Sequence, residues 1–109
     1  MAHIHDTDDL EHLAELKKEA PAEYAAWLRF DGVVAREDGA IPRKYRELIA
    51  LACADVTQCA YCLDVHAAAA KKAGATRAEV SEAALIAAAL RAGAGATHAA
   101  LALKRFDAH

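Results

Sequence analysis

The chain has 109 residues, of which 56% are hydrophobic, and its formal net charge at pH 7 is -3. Single domains commonly contain about 100 to 150 residues, so this length predicts one domain, residues 1–109, built around one core. Lysines and arginines are scattered among the acidic residues and form no basic stripe, which argues against a nucleic-acid-binding protein.

The first ten residues, MAHIHDTDDL, contain neither the basic segment nor the apolar segment of a signal peptide. No apolar run along the chain approaches the ~18 to 20 residues that a membrane-spanning helix needs. We therefore expect a cytoplasmic protein with no membrane partner. His3 and His5 are expected to be mobile terminal residues despite their metal-friendly spacing.

Signals for helix starts recur along the first half of the chain. Thr7 precedes one apolar-periodic segment, and Pro21 and Pro42 open the next two. A threonine can cap a helix, and proline is well tolerated in the first helical turn. These signals predict N-terminal helices over about 8–36 and a further helix over about 42–57.

The second half begins its last helix with a capping box. Thr76 and Glu79 have the required spacing, in which each side chain satisfies a backbone amide at the helix entrance. Gly39, Gly74 and Gly93 follow periodic segments, where glycine can end a helix in the left-handed conformation. No stretch shows the two-residue alternation of a strand, so the predicted fold is all-α.

Two apolar surfaces follow from the helical period. On the helix over 42–57, five side chains fall on one stripe that we expect to face the core: Tyr45, Leu48, Ile49, Ala52 and Val56. The segment 83–90, AALIAAAL, is apolar on all sides, which would leave an exposed sticky face on a small monomer. Self-association is the expected remedy.

The segment TQCAYCLDVHAAA, residues 57–69, concentrates the reactive side chains. If residues 60–73 form a helix, Cys59, Cys62 and His66 share one apolar face, with Tyr61 on the other. Cysteines three apart can form a disulfide, and a helix N-terminus favours the thiolate. The place of Cys59 at the helix N-terminus favours Cys59 as the more acidic thiol. The imidazole of His66, four residues after Cys62, favours Cys62 instead.

Spacing alone leaves three interpretations of this segment open. Redox chemistry is favoured, because cysteines in a reducing compartment seldom form a structural disulfide framework. A second interpretation is a zinc site, with Cys59, Cys62 and His66 as three ligands and a carboxylate as the fourth. A third is plain packing, in which the cysteines are small buried side chains. Cys53, at the margin of the preceding helix, is the spare cysteine.

The stretch RELIALACADVTQCAYCLDVHAAAAKKAGATRAEVSEAALIAAAL resembles the core of the AhpD-like alkylhydroperoxidase branch of the carboxymuconolactone decarboxylase family. The family pattern is a glutamate, eleven residues, C-x-x-C, three residues and a histidine, and it is matched by Glu47, Cys59, Cys62 and His66. The resemblance covers about 42–92 and implies an all-α domain of about five to six helices. The C-x-x-C pair argues against the ring-lactone decarboxylase branch.

The resemblance also implies a function. It points to a thiol-dependent peroxidase or disulfide reductase in which Cys62 attacks a hydroperoxide, Cys59 resolves the sulfenic acid, and His66 with Glu47 forms a proton relay. It implies a thioredoxin-like or lipoyl protein as the electron donor, a homo-oligomer (trimer or hexamer), and neither a cofactor nor a bound metal. Tyr61 stands where the AhpD prototype has a histidine, so a full relay and strong peroxidase activity are not implied.

Glu47 shows the limit of pattern analysis. On a helical wheel it falls opposite the apolar stripe and four residues after Arg43, which predicts a surface carboxylate paired with that arginine. A buried Glu47 would need a partner, for which His66 is suited. Trp27 and Phe30 are expected to pack the second helix or to cover the redox cavity or a neighbouring subunit. His98 is expected to be a hydrogen-bonded packing histidine, with lining of the cavity as the alternative.

Overall fold

The computed structural model describes residues 6–109, apart from the side chain of Thr7, so His3 and His5 lie outside the described residues. Within that range the chain is helical and contains no strand, which confirms the all-α fold. A 3₁₀ helix is followed by five α-helices: 3₁₀ Thr7–His12, α1 Leu13–Glu19, α2 Pro21–Val34, α3 Arg43–Thr57, α4 Ala60–Lys72 and α5 Arg77–Ala108.

The signals at Pro21, Pro42 and Thr76 correspond to observed helix starts, whereas Thr7 is the first residue of the 3₁₀ helix and Asp6 is its N-cap. Pro21 is the first residue of α2, and Pro42 is the N-cap of α3. At the start of α5, Glu79 N–H donates to Thr76 Oγ1 at 3.1 Å, and Thr76 N–H donates to Glu79 Oε1 at 2.9 Å. The predicted capping box is therefore confirmed.

The predicted helix ends are only partly correct. Gly74, with φ +92°, follows α4 in the left-handed region, as predicted. Gly39 lies in the loop after α2, which already ends at Val34, and Gly93 lies inside α5. A glycine costs a helix only about 1 kcal/mol relative to alanine. The alanine-rich sequence around Gly93 has a high helix propensity, and the helix continues through it to Ala108.

Helix α3 is the centre of the fold and packs against both α4 and α5. The small buried set consists of one leucine, one glutamate and three alanines: Glu47, Leu51 and Ala54 on α3, Ala70 on α4, and Ala87 on α5. Because alanine side chains are small, the three helix backbones can approach closely. Helices α1 and α2 pack against each other and bury no residue fully.

The prediction of which face of α3 packs into the core is wrong. Tyr45, Ile49 and Val56 are exposed and Leu48 and Ala52 are half-buried, whereas the opposite face carries the fully buried residues. Leu51 and small alanines on that opposite face allow α4 and α5 to pack closely there. A helical period identifies an apolar face, but it cannot tell whether that face packs within its own chain. Three of the five stripe residues thus lie on the surface of this chain.

Exposed apolar side chains also dominate α5 and α2. Leu85 is 70% exposed, and Ile86, Leu90 and Phe106 are exposed as well. Trp27 and Phe30 of α2 are likewise exposed, so the expectation that they pack the second helix within the chain is wrong. The chain therefore leaves much of its large apolar surface uncovered.

Among residues 6–109, one helix is long and apolar enough to cross a membrane by length and composition, namely Arg77–Ala108. This finding corrects the expectation that no apolar run approaches the required length. The reason is that α5 combines many weakly hydrophobic alanines with few charges over 32 residues. Core helices of soluble proteins meet the same criterion, so it assigns no membrane location by itself.

Candidate active site

The two cysteines lie where the chain turns from α3 into α4. Gln58 ends α3 in the left-handed conformation, with φ 57° and ψ 47°, and Cys59 is the N-cap of α4. The sulfur of Cys59 accepts a hydrogen bond from Cys62 N–H at 3.2 Å. Cys59 and Cys62 are joined as a disulfide, with their Cα atoms 5.3 Å apart.

This position has electrostatic consequences for the cysteines. The first amides of a helix lack backbone partners and give its N-terminus a partial positive charge. Sulfur at that end is stabilised as the thiolate once the disulfide is reduced. The sulfur of Cys59, the N-cap residue, accepts a hydrogen bond from one of those amides, that of Cys62. The turn therefore favours both disulfide formation and thiolate chemistry.

Glu47 is the buried charged residue of the described chain, with only 2% of its surface exposed. The expectation of a surface carboxylate is therefore wrong, because the alanines beside Glu47 let α4 pack over it. Its Oε2 accepts a hydrogen bond from His66 Nδ1 at 2.6 Å, and its Oε1 accepts one from Arg43 Nε at 2.7 Å. The pairing with Arg43 follows the prediction, but it is a partly buried contact.

The contact with Glu47 orients His66. A carboxylate only accepts hydrogen bonds, so Nδ1 of His66 carries a proton and donates it. The imidazole Nε2 is then the nitrogen that can exchange a proton with another group. His66 also remains partly accessible, with 28% of its side-chain surface exposed. The pair thus links a buried anion to an accessible imidazole.

A cavity of about 290 Å³ opens beside this pair and is lined by both Glu47 and His66. Its remaining walls are mainly apolar and come from the end of α2, the following loop and α3: Val34, Ala35, Ile41, Ile49 and Ala50. Asp31 and Arg46 also line it, whereas neither cysteine does. The cavity therefore gives a small molecule access to the Glu47–His66 pair.

The structure brings the four predicted site residues together as two pairs. Cys59 and Cys62 form a disulfide, and Glu47 and His66 form a hydrogen bond. Within residues 6–109, no hydrogen bond connects His66 to either sulfur of the disulfide. Cys62 and His66 lie one helical turn apart on α4, on the same face of that helix.

Tyr61 connects the candidate site to the N-terminal helix. Its hydroxyl donates to Asp9 Oδ2 at 2.9 Å, which ties the 3₁₀ helix to α4. This hydrogen bond to Asp9 raises the pKa of Tyr61, because losing the phenolic proton would place two negative charges in contact. The two residues are 52 positions apart, so no local pattern predicts the contact.

Other residues that the sequence singled out lie outside the site. His98 is exposed on α5, where its Nδ1 is 3.1 Å from the carbonyl oxygen of Ala94, so it is hydrogen-bonded without being packed. Cys53 is an exposed free cysteine on α3. Across the described part of the chain, no three Cys, His, Asp or Glu side chains form a potential metal site. The disulfide also occupies both sulfurs that the zinc interpretation requires.

Comparison with known proteins extends the match beyond the C-x-x-C segment. The sequence profile described as "Carboxymuconolactone decarboxylase family" matches residues 21–105. An uncharacterised protein of the cox locus of Paracoccus denitrificans is 44% identical over 70 residues, which are 64% of this chain and 63% of that protein. An uncharacterised protein of Cupriavidus necator is 35% identical over 108 residues, 94% of this chain and 96% of that protein.

Two solved structures resemble the fold described above. A protein from Methanobacterium thermoautotrophicum has a TM-score of 0.71 and 33% sequence identity, over 78% of this chain and 94% of that chain. A carboxymuconolactone decarboxylase family protein from Legionella pneumophila, solved in its apo form, has a TM-score of 0.69 and 31% identity, over 76% and 73% of the respective chains. Both matches include most of this chain.

Proposed function

Because the chain belongs to the carboxymuconolactone decarboxylase family, we propose that it acts as an AhpD-like oxidoreductase, a thiol-dependent peroxidase or disulfide reductase. The observation that carries the proposal is the Cys59–Cys62 disulfide at the start of α4. The same helix presents His66, whose imidazole is hydrogen-bonded to the buried Glu47. A cysteine pair, an accessible imidazole and a buried carboxylate together provide the groups that such a cycle requires.

The first step of the proposed cycle is attack by the Cys62 thiolate on an oxygen of a hydroperoxide. The O–O bond breaks, the sulfur becomes a sulfenic acid, and the other oxygen leaves as an alcohol or water after taking up a proton. Sulfur loses two electrons and the peroxide gains them. Attack by Cys62 follows the family resemblance, and the imidazole one turn away supports it.

The second step closes the disulfide. The Cys59 thiolate attacks the sulfenic sulfur of Cys62, an S–S bond forms, and hydroxide leaves as water after protonation. The Cα atoms of the two residues are 5.3 Å apart, which lies in the usual range for a disulfide, so this step needs no rearrangement of the helix. A dithiol donor then reduces the disulfide and is itself oxidised.

His66 and Glu47 act as the proton relay in this proposal. The Nε2 atom of His66 takes the proton of the Cys62 thiol, directly or through a water molecule, and later returns it to the leaving oxygen. Glu47 stabilises the imidazolium that forms in between, because its carboxylate already holds Nδ1–H. Arg43 and His66 together satisfy both oxygens of the buried carboxylate.

The proposal extends to partners and location. We propose a thioredoxin-like or lipoyl protein as the dithiol donor and a cytoplasmic homo-oligomer, a trimer or a hexamer, as the working form. The chemistry involves sulfur and oxygen atoms of the protein and substrate, so it requires no further cofactor. The extent of the domain, residues 1–109, stays a prediction.

The test is direct oxidation of the reduced protein. One equivalent of a hydroperoxide should remove two hydrogens, located by mass spectrometry on the peptide that contains Cys59 and Cys62. A Cys59→Ser variant should stop at the sulfenic acid, and a Cys62→Ser variant should not consume peroxide. Unchanged thiols, or oxidation confined to Cys53, would contradict the proposal. A screen of thiol and dithiol reductants with the same variants would then identify the class of donor.

A further inference from the structure

Arg43, the first residue of α3, contacts the carboxylate of the candidate relay. Its Nε donates to Oε1 of Glu47 at 2.7 Å, while His66 Nδ1 donates to Oε2 at 2.6 Å. We propose that Arg43 is a positioning residue of this site: it serves as the permanent counter-ion of Glu47 and so leaves His66 neutral and able to accept a proton. The catalytic meaning of this inference rests on the proposed function, whereas its electrostatic part does not.

Burial explains why Glu47 needs a permanent cation. A carboxylate removed from water is stable as an anion only where a positive charge and hydrogen bonds replace the lost hydration. The side chain of Arg43 is 33% exposed and that of His66 is 28% exposed, so both can reach Glu47 and keep some contact with water. The guanidinium is always charged, whereas the imidazole is charged only after protonation.

The position of Arg43 on its helix gives an independent argument. Positive side chains are disfavoured in the first turn of a helix, because the helix N-terminus carries a partial positive charge. An ion pair with the basic residue four positions before the acid is also the less favourable order. Helix stability therefore gives no reason for an arginine at this place, whereas the need for a counter-ion to Glu47 does.

Two further charged groups, Arg46 and Asp31, line the cavity beside the pair, and neither forms an ion pair with Glu47 or His66 within the described residues. Arg46 lines the same cavity, but its Nε and one terminal nitrogen donate to the carbonyl oxygens of Ile41 and Val34. Asp31 of α2 also lines the cavity. Within the described residues, the ion pairs of Glu47 are those with Arg43 and His66.

The chemical consequence concerns the free nitrogen of His66. With Arg43 in place, the Glu47 carboxylate faces one permanent cation. A neutral His66 imidazole can then donate from Nδ1 to Glu47 and keep a lone pair on Nε2. Without Arg43, the proton of His66 becomes the charge that stabilises Glu47. An imidazolium has no lone pair on Nε2, so it cannot act as the base that accepts the thiol proton of Cys62.

The experiment compares wild type with Arg43→Gln and Arg43→Lys, using Arg36→Gln as the matched control, because Arg36 pairs with Asp38 on the exposed loop. The ¹⁵N chemical shifts of the His66 ring report its protonation state. We expect a neutral ring with Nδ1–H at pH 7 in wild type, the control and Arg43→Lys, and an imidazolium in Arg43→Gln. Thiol oxidation by hydroperoxide should be at least about tenfold slower in Arg43→Gln at pH 7, with its rise shifted to higher pH.

Each outcome decides a separate claim. An imidazolium in wild type at pH 7, or a neutral ring with an unshifted pH profile in Arg43→Gln, overturns the role of Arg43. If Arg43→Gln does not fold, wild type and Arg43→Lys still test the claim, because an imidazolium at pH 7 in either of them overturns it. If reduced wild type does not react with peroxide, the proposed peroxidase activity fails, yet the ring signals still test the counter-ion claim.

Discussion

Single contacts give Glu47 and Tyr61 different roles at the candidate site. Glu47 is buried on α3 and joins α3 to α4 through His66. Tyr61 lies between the two cysteines, but its hydroxyl is bonded to Asp9 of the 3₁₀ helix. The tyrosine therefore anchors the N-terminal segment in the place where the prototype's histidine would serve the relay. The relay proposed for this chain depends on Glu47 and His66.

At this scale we predict the effect of Glu47→Gln. The amide keeps the size of the side chain but lacks the charge that stabilises an imidazolium on His66. Oxidation of the reduced cysteines by hydroperoxide should slow by about 100-fold, which is within the usual contribution of general acid–base catalysis. Stopped-flow measurement of thiol loss tests this, with Glu82→Gln on the exposed side of α5 as the control. A rate equal to that of wild type would remove Glu47 from the relay.

The helix ends control the elements that hold the site. The left-handed Gln58 positions Cys59 as the N-cap of α4, and Gly74 with the Thr76–Glu79 capping box separates α4 from α5. Glu79 also pairs with Lys44 of α3 at 3.0 Å. The start of α5 is therefore fixed both to its own backbone and to the central helix.

We predict that Thr76→Ala lowers the free energy of unfolding by about 1 kcal/mol, the usual cost of losing a helix cap. Thr97→Ala is the matched control, because the Thr97 hydroxyl bonds carbonyl oxygens inside α5 and caps no helix end. Alanine should leave stability unchanged or slightly higher there. Chemical denaturation followed by circular dichroism measures both. Equal effects of the two substitutions would show that the cap contributes little.

The pH dependence of stability should report Glu79. The backbone hydrogen bond at Thr76 and the contact with Lys44 lower the pKa of Glu79 below its ordinary value of 4.5. A lowered pKa contributes stability above the unfolded value, which is lost as the pH falls through the folded value. Wild type should exceed Glu79→Gln in melting temperature at pH 6 to 7, and the difference should shrink below about pH 4.5. A difference independent of pH would contradict this assignment.

The whole chain is larger than its length predicts for a compact monomer. Its radius of gyration is 18.0 Å, whereas a compact domain of this length has about 13 Å. The buried set is dominated by alanines, while apolar side chains of α5 and the outward stripe of α3 are exposed. Together with the apolar segment 83–90, these features favour the proposed homo-oligomer, because association would cover apolar surface.

We predict that Leu85→Glu combined with Ile86→Glu reduces the molar mass of the protein in solution, measured by sedimentation velocity. Both side chains are exposed and apolar, and charges there would oppose burial between subunits. Lys17→Glu makes the same change of two charge units at an exposed position of α1, outside this apolar segment, so it should leave the mass unchanged. A double variant of wild-type mass would contradict association through this face. Recovery of wild type with membranes would instead assign α5 to a lipid bilayer.

The sequence by itself determined the all-α fold and most helix starts, and it named the candidate reactive groups. Proline and threonine signals marked the starts of α2, α3 and α5, because caps act over a few residues and are legible locally. The spacing of Cys59 and Cys62 predicted their disulfide reach for the same reason. The family pattern also singled out Glu47 and His66 before any contact between them was known.

Only the tertiary structure decided which helix faces are buried. Glu47 looked exposed and Ile49 looked buried, yet their positions are reversed, because small alanines let α4 and α5 pack on the polar side of α3. The contacts of Glu47 with His66 and of Tyr61 with Asp9 join residues 19 and 52 positions apart, beyond the range of any helical period. Periodicity describes one helix at a time, whereas burial depends on which neighbours pack against it.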